Sequence, residues 1–195
     1  MAFYSLEELQ TLGLATFGAD VRISRKASIY NPGLIAIGNH VRIDDFCVLS
    51  AGKGGIEIGD YVHIAVYCSL MGAGRIRLDD FSNLSSRVSI YSSNDDYSGE
   101  HLTNPTIPDQ FTGVTHAAVL LGKHVIVGAG AVVLPGVCLE DGVAVGSLSL
   151  VSKNCNAFGI YAGVPARRIG ERKRDLLELE KQLRQQSMPG SGVEK

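Results

Sequence analysis

The segment 91–118 carries side chains that could move a proton. Asp95 and Asp96 are adjacent carboxylates near its start, and His101 and His116 follow them. A carboxyl group has an ordinary pKa of about 3.9, so Asp95 is a weak base unless burial or the charge of Asp96 raises that value. A histidine could serve instead. A pair of carboxylates could also hold an incoming ammonium group and take its proton, because a neutral amine is already nucleophilic.

A repeat of six residues must position these groups. From Leu121 the sequence reads LGKHVI, VGAGAV, VLPGVC, LEDGVA, VGSLSL and VSKNCN. Each hexad opens with an aliphatic residue, and its fifth residue is usually small. The corresponding frames upstream start at Phe17, Ile37, Ile58 and Leu78. The repeat predicts an all-β parallel β-helix in which both of these positions point inward and three hexads make a coil of about 18 residues.

The repeat also sets the expected boundaries of the chain's parts. It stops after Ile90 and resumes near Val119, so 91–118 is predicted to protrude as a functional loop from a β-helix domain over 17–170. Within 1–16, Ser5 and Glu8 are spaced as a capping box, which predicts a short helix that covers the open end of the β-helix. Residues 171–186 have the pattern of an amphipathic helix. The tail 187–195 is predicted to be disordered.

Bulk properties exclude several classes of function. The formal net charge is −2 and there is no arginine-rich stripe, which disfavours nucleic-acid binding. No apolar run approaches the roughly 20 residues of a membrane span, and residues 1–10 lack the pattern of a signal peptide. The four cysteines show no CxxC spacing and are predicted to be buried free thiols, which suits the reducing cytoplasm.

Two motifs identify a family resemblance. VGAGAVVLPGV at 127–137 and YAGVPARRI at 161–169 resemble the hexapeptide-repeat acyltransferases, and most closely their galactoside and maltose O-acetyltransferase branch. The resemblance covers roughly residues 17–169. It implies a left-handed parallel β-helix, a homotrimer, and active sites at the subunit interfaces. It also implies acetyl-CoA as co-substrate, a sugar as acceptor, and no metal.

The same resemblance suggests which residues hold the donor. In the family, the pantetheine arm lies in a groove between two β-helices, along small residues that let a thin ligand reach the backbone. Cations near the nucleotide bind its phosphates. The matching positions here are Ala129, Ser147, Ser152, Lys153, Arg167 and Arg168.

At the catalytic position the sequence departs from the family. The O-acetyltransferases carry a histidine in a segment like YTAxHP at the start of the loop, whereas this chain has Tyr91 to Asp96 there, with Asp95 in place of the histidine. Asp95, Asp96 and His63 are therefore the candidate catalytic residues, and His63 matches a tyrosine that lines the acceptor site in the family. The candidate acceptor-binding residues are Tyr91, Asn94, His101 and His116. His40 and His124 are expected at turn or solvent-facing positions without a role.

The main functional prediction is direct acetyl transfer from acetyl-CoA to a sugar hydroxyl, without a covalent acyl-enzyme. The alternative within the family is transfer to the amino group of a nucleotide-linked sugar. A non-catalytic β-helix scaffold is a third interpretation. A zinc enzyme on the same fold would need a close pair of histidines on one coil, and the five histidines of this sequence show none.

Overall fold

The computed structural model describes residues 2–187, and these form a parallel β-helix that follows the predicted hexad frame. Ile58 pairs in register with Ile37 below it and with Leu78 above it, and Leu78 pairs with Leu121. The opening residue of each hexad and the small fifth residue both lie inside, as Ile58 and Val62 illustrate. The six-residue period of the sequence thus identifies the side chains that fill the core.

The coils stack into three parallel sheets, which we call faces 1, 2 and 3. Face 1 consists of β1 (Thr16–Phe17), β4 (Ile35–Ile37), β7 (Ile56–Ile58), β10 (Ile76–Leu78), β15 (Val119–Leu121) and β18 (Cys138–Leu139). Face 2 consists of β2 (Arg22–Ile23), β5 (Arg42–Ile43), β8 (His63–Ile64), β11 (Asn83–Leu84), β16 (Ile126–Val127), β19 (Ala144–Val145), β21 (Gly159–Ala162) and the antiparallel β22 (Arg167–Glu171). Face 3 consists of β3 (Ser28–Tyr30), β6 (Val48–Ala51), β9 (Ser69–Gly72), β12 (Ser89–Tyr91), β17 (Val132–Val133) and β20 (Leu150–Val151).

A single apolar core runs along the axis, and the central coils depend on it. Leu84 is fully buried, between Ile64 and Val127 on the neighbouring coils of face 2. Since adjacent coils are in backbone contact, the space left by a shorter side chain cannot collapse easily.

We expect Leu84→Ala to lower the free energy of unfolding by about 2–5 kcal/mol, through lost burial and the residual cavity. Urea unfolding followed by circular dichroism measures this change. Leu120→Ala is the matched control, because Leu120 is only half-buried on the outer side of β15. Equal losses in the two variants would contradict the assignment of inward and outward positions.

The N-terminal helix, α1, spans Leu6–Thr11 and has the predicted capping box. The Ser5 hydroxyl accepts from the Glu8 amide at 3.3 Å, and the Glu8 carboxylate accepts from the Ser5 amide at 2.6 Å. Leu9 is buried in the core at the end of the β-helix, and the Tyr4 amide donates to the Ile23 carbonyl. The N-terminal segment therefore covers the first coil.

The C-terminal helix starts later than predicted. Helix α2 spans Leu176–Ser187, and Glu171 ends β22, which pairs antiparallel with β21. Arg184 reaches Asp80 at 3.2 Å and Glu180 reaches His124 at 2.5 Å, so the helix contacts its own β-helix. The tail predicted from 187 lies outside the described residues, apart from Ser187, where α2 ends. His124 lies in a turn, one of the two settings predicted for it, but its side chain is buried beneath the helix instead of facing solvent.

The cysteines are unpaired thiols, as predicted. Cys47, Cys68 and Cys155 are buried, and Cys138 is half-buried. Within residues 2–187, no group of three or more His, Cys, Asp or Glu side chains could hold a metal ion. No helix in that range is long and apolar enough to cross a bilayer.

Candidate functional site

The protruding loop leaves the β-helix at the corner between face 3 and face 1. It follows β12 on face 3 and returns to β15 on face 1. Its two ends form a short antiparallel ladder of β13 (Ser93–Asn94) and β14 (Thr115–His116). The Ser93 hydroxyl and His116 Nδ1 lie 2.8 Å apart across this ladder. The stem thus fixes where the loop begins, although the loop itself has no repeat.

A cavity of about 520 Å³ lies within the loop, next to its stem. Asp95 and His116 line it at the stem, and Asp109 lines it from the short 3₁₀ helix Asp109–Phe111. Asp95 is exposed, and its carboxylate accepts no hydrogen bond from any residue between 2 and 187. Its oxygens are therefore open to a ligand.

The carboxylate of Asp96, in contrast to that of Asp95, is hydrogen-bonded within the loop. Its two carboxylate oxygens accept from the amides of Ser98 at 2.8 Å and His101 at 2.9 Å, and His101 Nδ1 lies 3.3 Å away. These hydrogen bonds, those from Ser98 above all, hold the pKa of Asp96 well below its usual range. Asp96 is accordingly better suited to fixing the loop than to accepting a proton, and His101 is part of the same turn.

His63 lies on the outer side of face 2, within a network of side chains. Its Nε2 is 3.0 Å from Asp44 Oδ2, and its Nδ1 is 3.0 Å from Asn83 Oδ1. Because the Asp44 carboxylate can only accept, Nε2 must carry a proton. Arg42 also donates to Asp44 at 2.7 Å. Both ring nitrogens of His63 are thus engaged, and a proton-accepting role would require one of these contacts to break.

Asp44 and Asn83 belong to this network but were missed at the sequence level. Asp44 is buried, and Asn83 stands directly above His63 in the ladder of face 2. His63 and Asn83 are 20 residues apart, which is the length of one coil in this part of the chain. This spacing could have predicted from the sequence that the two side chains are neighbours.

The loop and His63 are not close together in one copy of the chain. The loop leaves from the corner between faces 3 and 1, whereas His63 lies on face 2, on the opposite side of the prism. Tyr91 and Asn94 accompany the loop: Tyr91 ends β12, and Asn94 donates to the Asp95 carbonyl at 3.1 Å. A site that uses both groups would therefore have to combine two copies.

The predicted donor residues fall into three places. Ala129 and Ser147 lie at the corner between faces 2 and 3, where they follow β16 and β19. Ser152 and Lys153 lie at the corner between faces 3 and 1, after β20. Arg167 lies on β22.

The cations of this set differ in their partners. Arg168, also on β22, is paired with Glu171. Neither Lys153 nor Arg167 contacts a carboxylate in the described part of the chain, so both remain open to phosphate groups.

The corner of Ala129 is shaped by glycine. A Cβ at Gly128 would lie 2.5 Å from the Ser147 amide nitrogen, so only glycine permits the two coils to stack this closely. Ser85 lies on the coil before, where its amide donates to the Val127 carbonyl at 2.9 Å. The corner is thus a line of small side chains on closely stacked backbone, which a thin ligand can approach.

Comparison with known proteins gives similar enzymes over nearly the whole chain. No protein-family model matches the sequence. A dTDP-4-amino-4,6-dideoxy-D-glucose acyltransferase of Escherichia coli is 52% identical over 180 residues, which is 92% of this chain and 94% of that enzyme.

Two solved structures of AntD, an N-acyltransferase from Bacillus cereus, are similar throughout. A serine-to-alanine variant in complex with dTDP-4-amino-4,6-dideoxyglucose and coenzyme A has a TM-score of 0.91 and 48% identity, covering 95% of this chain and 98% of that chain. The complex with dTDP and 3-hydroxybutyryl-CoA has a TM-score of 0.89 and 49% identity, covering 94% and 97%.

These similarities favour an amino group over a hydroxyl as the acceptor. The similar enzymes are named for an amino sugar or as N-acyltransferases. Transfer to a sugar hydroxyl, the main prediction from sequence, is therefore less supported than its alternative, transfer to an amino group.

Proposed function

Because the chain belongs to the hexapeptide-repeat acyltransferases, we propose that it acylates the amino group of a dTDP-linked 4-amino-4,6-dideoxy sugar, with an acyl-CoA as donor. The observation that carries this proposal is Asp95, an open carboxylate on the loop cavity at the position where the O-acetyltransferases have a histidine. The similarity to enzymes that act on, or bind, this class of nucleotide sugar supports it.

The proposed chemistry needs a carboxylate more than it needs a histidine. The sugar reaches the site as an ammonium ion, which Asp95 attracts and which gives its first proton to water. The neutral amine attacks the thioester carbonyl, and a C–N bond forms. As the C–S bond breaks, the nitrogen gives its second proton to Asp95, which passes it through water to the departing coenzyme A thiolate. Transfer is proposed to be direct, in a ternary complex. Ser93 lies 2.8 Å from His116 Nδ1, but no third side chain among residues 2–187 hydrogen-bonds to that histidine to orient it as a base.

The remaining candidates have supporting roles in this proposal. Tyr91, Asn94 and His116 border the loop stem and contact the sugar, while Asp96 and His101 keep the loop in shape. The ring of His63, held by Asp44 and Asn83, lines the acceptor side.

The donor is proposed to lie along the small side chains Ala129 and Ser147 of one copy and to contact Ser152, which lies at the other corner of face 3, on a neighbouring copy. Lys153 and Arg167 bind its phosphates, and Arg168 does so only if it exchanges Glu171 for them. Acetyl is the simplest acyl group for this site. A longer hydroxyacyl group is the second candidate, because a similar structure contains 3-hydroxybutyryl-CoA.

We further propose that the enzyme is a homotrimer that works in the cytoplasm. The loop and His63 can contribute to one site only if neighbouring copies combine them. Buried cysteine thiols that remain unpaired suit a reducing compartment.

Acceptor chemistry gives the direct test. With acetyl-CoA or 3-hydroxybutyryl-CoA as donor, we expect kcat/KM for the dTDP-4-amino sugar to exceed that for the matching dTDP-4-hydroxy sugar by about 100-fold or more, because a hydroxyl is not nucleophilic without a strong base. Thiol release and mass spectrometry of the product measure both reactions. Equal rates, or faster acylation of the hydroxy sugar, would refute N-acylation.

A further inference from the structure

The cavity within the loop is lined by side chains of two kinds. Polar and charged side chains, among them Asp95 and Asp109, make up one group. The other group consists of Pro105, Ile107 and Val114, which we call the apolar wall. A ligand in this cavity therefore meets a carboxylate and an aliphatic surface at the same time.

A turn holds one part of the apolar wall in place. Asn104 Oδ1 accepts from the Thr106 amide at 3.0 Å and from the Thr106 hydroxyl at 2.6 Å. The Ile107 amide donates to the Asn104 carbonyl at 3.4 Å, and Asn104 has a φ of 84°, in the left-handed region that asparagine tolerates. Ile107 is half-buried, so the turn fixes an aliphatic side chain that the loop covers only in part.

Val114 is held near the other end of the loop. A Cβ at the preceding residue, Gly113, would lie 2.6 Å from His101 Nδ1, so only glycine lets the His101 ring pack against the backbone there. Asp96 in turn accepts from the His101 amide at 2.9 Å. Val114 is 40% exposed in this fixed position. Covering its methyl groups with an apolar part of a ligand is therefore favourable and requires no rearrangement of the loop.

The polar lining offers partners for the hydrogen-bonding groups of a sugar. The Asp109 carboxylate accepts no hydrogen bond from residues 2–187, so it is able to accept from ring hydroxyls. The Thr112 hydroxyl, by contrast, already donates to the Asp109 carbonyl at 3.1 Å. The side chains of the apolar wall have no donors or acceptors, so they suit a part of the sugar that makes no hydrogen bond.

We propose that the apolar wall binds the C6 methyl group of the acceptor and thereby selects a 6-deoxy sugar, an inference that rests on the proposed function. In a 4-amino-4,6-dideoxyhexose, the amino group and the methyl group are attached to neighbouring ring carbons. When Asp95 holds the amino group, the methyl group therefore lies beside it in the same cavity. A sugar with a 6-hydroxyl would place an O–H group against Ile107 and Val114, where it loses water and gains no hydrogen bond.

Two acceptors that differ only at C6 test the apolar wall. With one acyl-CoA, we expect kcat/KM for dTDP-4-amino-4,6-dideoxyglucose to exceed that for dTDP-4-amino-4-deoxyglucose, which has a 6-hydroxyl, by about 10- to 100-fold, the range over which an apolar pocket excludes an added hydroxyl. Val114→Thr and Ile107→Thr should each lower this ratio by about fivefold or more, because threonine adds a hydroxyl group to the wall. Thiol release measures both reactions.

Leu102→Thr is the matched control, because Leu102 is an exposed aliphatic residue of the same loop that lies outside the cavity lining. Its ratio should equal that of the parent even where its stability is lower, since both acceptors use the same loop. The proposal is overturned by equal kcat/KM for the two sugars in the parent, by an unchanged ratio in both cavity variants, or by a similar fall in Leu102→Thr.

Loss of N-acylation and loss of sugar selection are separate outcomes. An enzyme that acylates both amino sugars equally lacks selection by the apolar wall but is still an N-acyltransferase. An enzyme that acylates neither sugar refutes the proposed function, and calorimetry with the two nucleotide sugars then decides the role of the wall. Tighter binding of the 6-deoxy sugar that Val114→Thr abolishes would support the wall, and equal binding of the two sugars would overturn it.

Discussion

Replacing Asp95 by Asn is expected to lower kcat by about 10²–10⁴-fold, the usual worth of a positioned proton acceptor. The amide has the shape of the carboxylate but cannot take the proton that the amine must lose. Affinity for acyl-CoA should be unchanged, because the donor lies along another part of the surface. Steady-state thiol release with a dTDP-4-amino sugar measures kcat, and calorimetry with coenzyme A measures donor binding.

Asp96→Asn is the matched control, one residue along the same loop. The side chain of Asp96 holds the Ser98 and His101 amides, and Asn keeps one of the two acceptor oxygens. We expect kcat within a few-fold of the parent and a higher KM for the sugar, as the loop loosens. Full activity of Asp95→Asn, or an equal loss of kcat in both variants, would remove Asp95 from the role proposed for it.

The fold could be predicted from sequence because one periodic signal determines it. The hexad frames at Ile37, Ile58 and Leu78 are the in-register partners of the structure, since an inward aliphatic residue at each frame leaves no other register for the core. The capping box of Ser5 and Glu8 is equally local, and it is present. The first prediction depends on a spacing that recurs along the sequence, and the second on residues within one turn.

The sequence predictions differ from the structure where contacts with residues far away in the sequence determine the local structure or the burial of a side chain. The helical pattern predicts a helix from Glu171, but pairing with β21 places Glu171 in β22, and α2 begins only at Leu176. His124 is buried because Glu180, 56 positions away, contacts it from α2. The sequence pattern within one coil predicts neither the strand pairing nor the burial of His124, because tertiary contacts override local propensity.

In the candidate site, too, some features could be predicted from the sequence and others depend on tertiary structure. The position of Asp95 on a loop and the absence of the usual histidine were visible in the sequence, and they made an amine acceptor the alternative, while the family resemblance favoured a hydroxyl. That Asp96 is tied to backbone amides, or that His63 is held by Asp44 and Asn83, depends on loop geometry and on stacking across coils. The choice between O- and N-acylation therefore stayed open until whole-chain similarity favoured the amine.

The second large effect concerns the donor. We expect Ala129→Arg to raise the KM for acyl-CoA by at least about 100-fold, equivalent to roughly 2.7 kcal/mol of lost binding. The coils at this corner are so closely stacked that even a Cβ at Gly128 would lie 2.5 Å from the Ser147 amide nitrogen, so the corner cannot shift to admit a long side chain. The arginine must project into the path proposed for the pantetheine arm.

The control for this prediction is Ala36→Arg, which adds the same side chain to a half-buried outward position of face 1. Its KM for acyl-CoA should stay within about twofold of the parent, since surface substitutions away from a site have small effects. Binding of dTDP measured by calorimetry should persist in both variants, because the nucleotide sugar uses the loop side of the site. If Ala129→Arg keeps a normal KM while its thermal unfolding is also normal, the donor does not run along this corner, and Lys153 and Arg167 must bind its phosphates by another path.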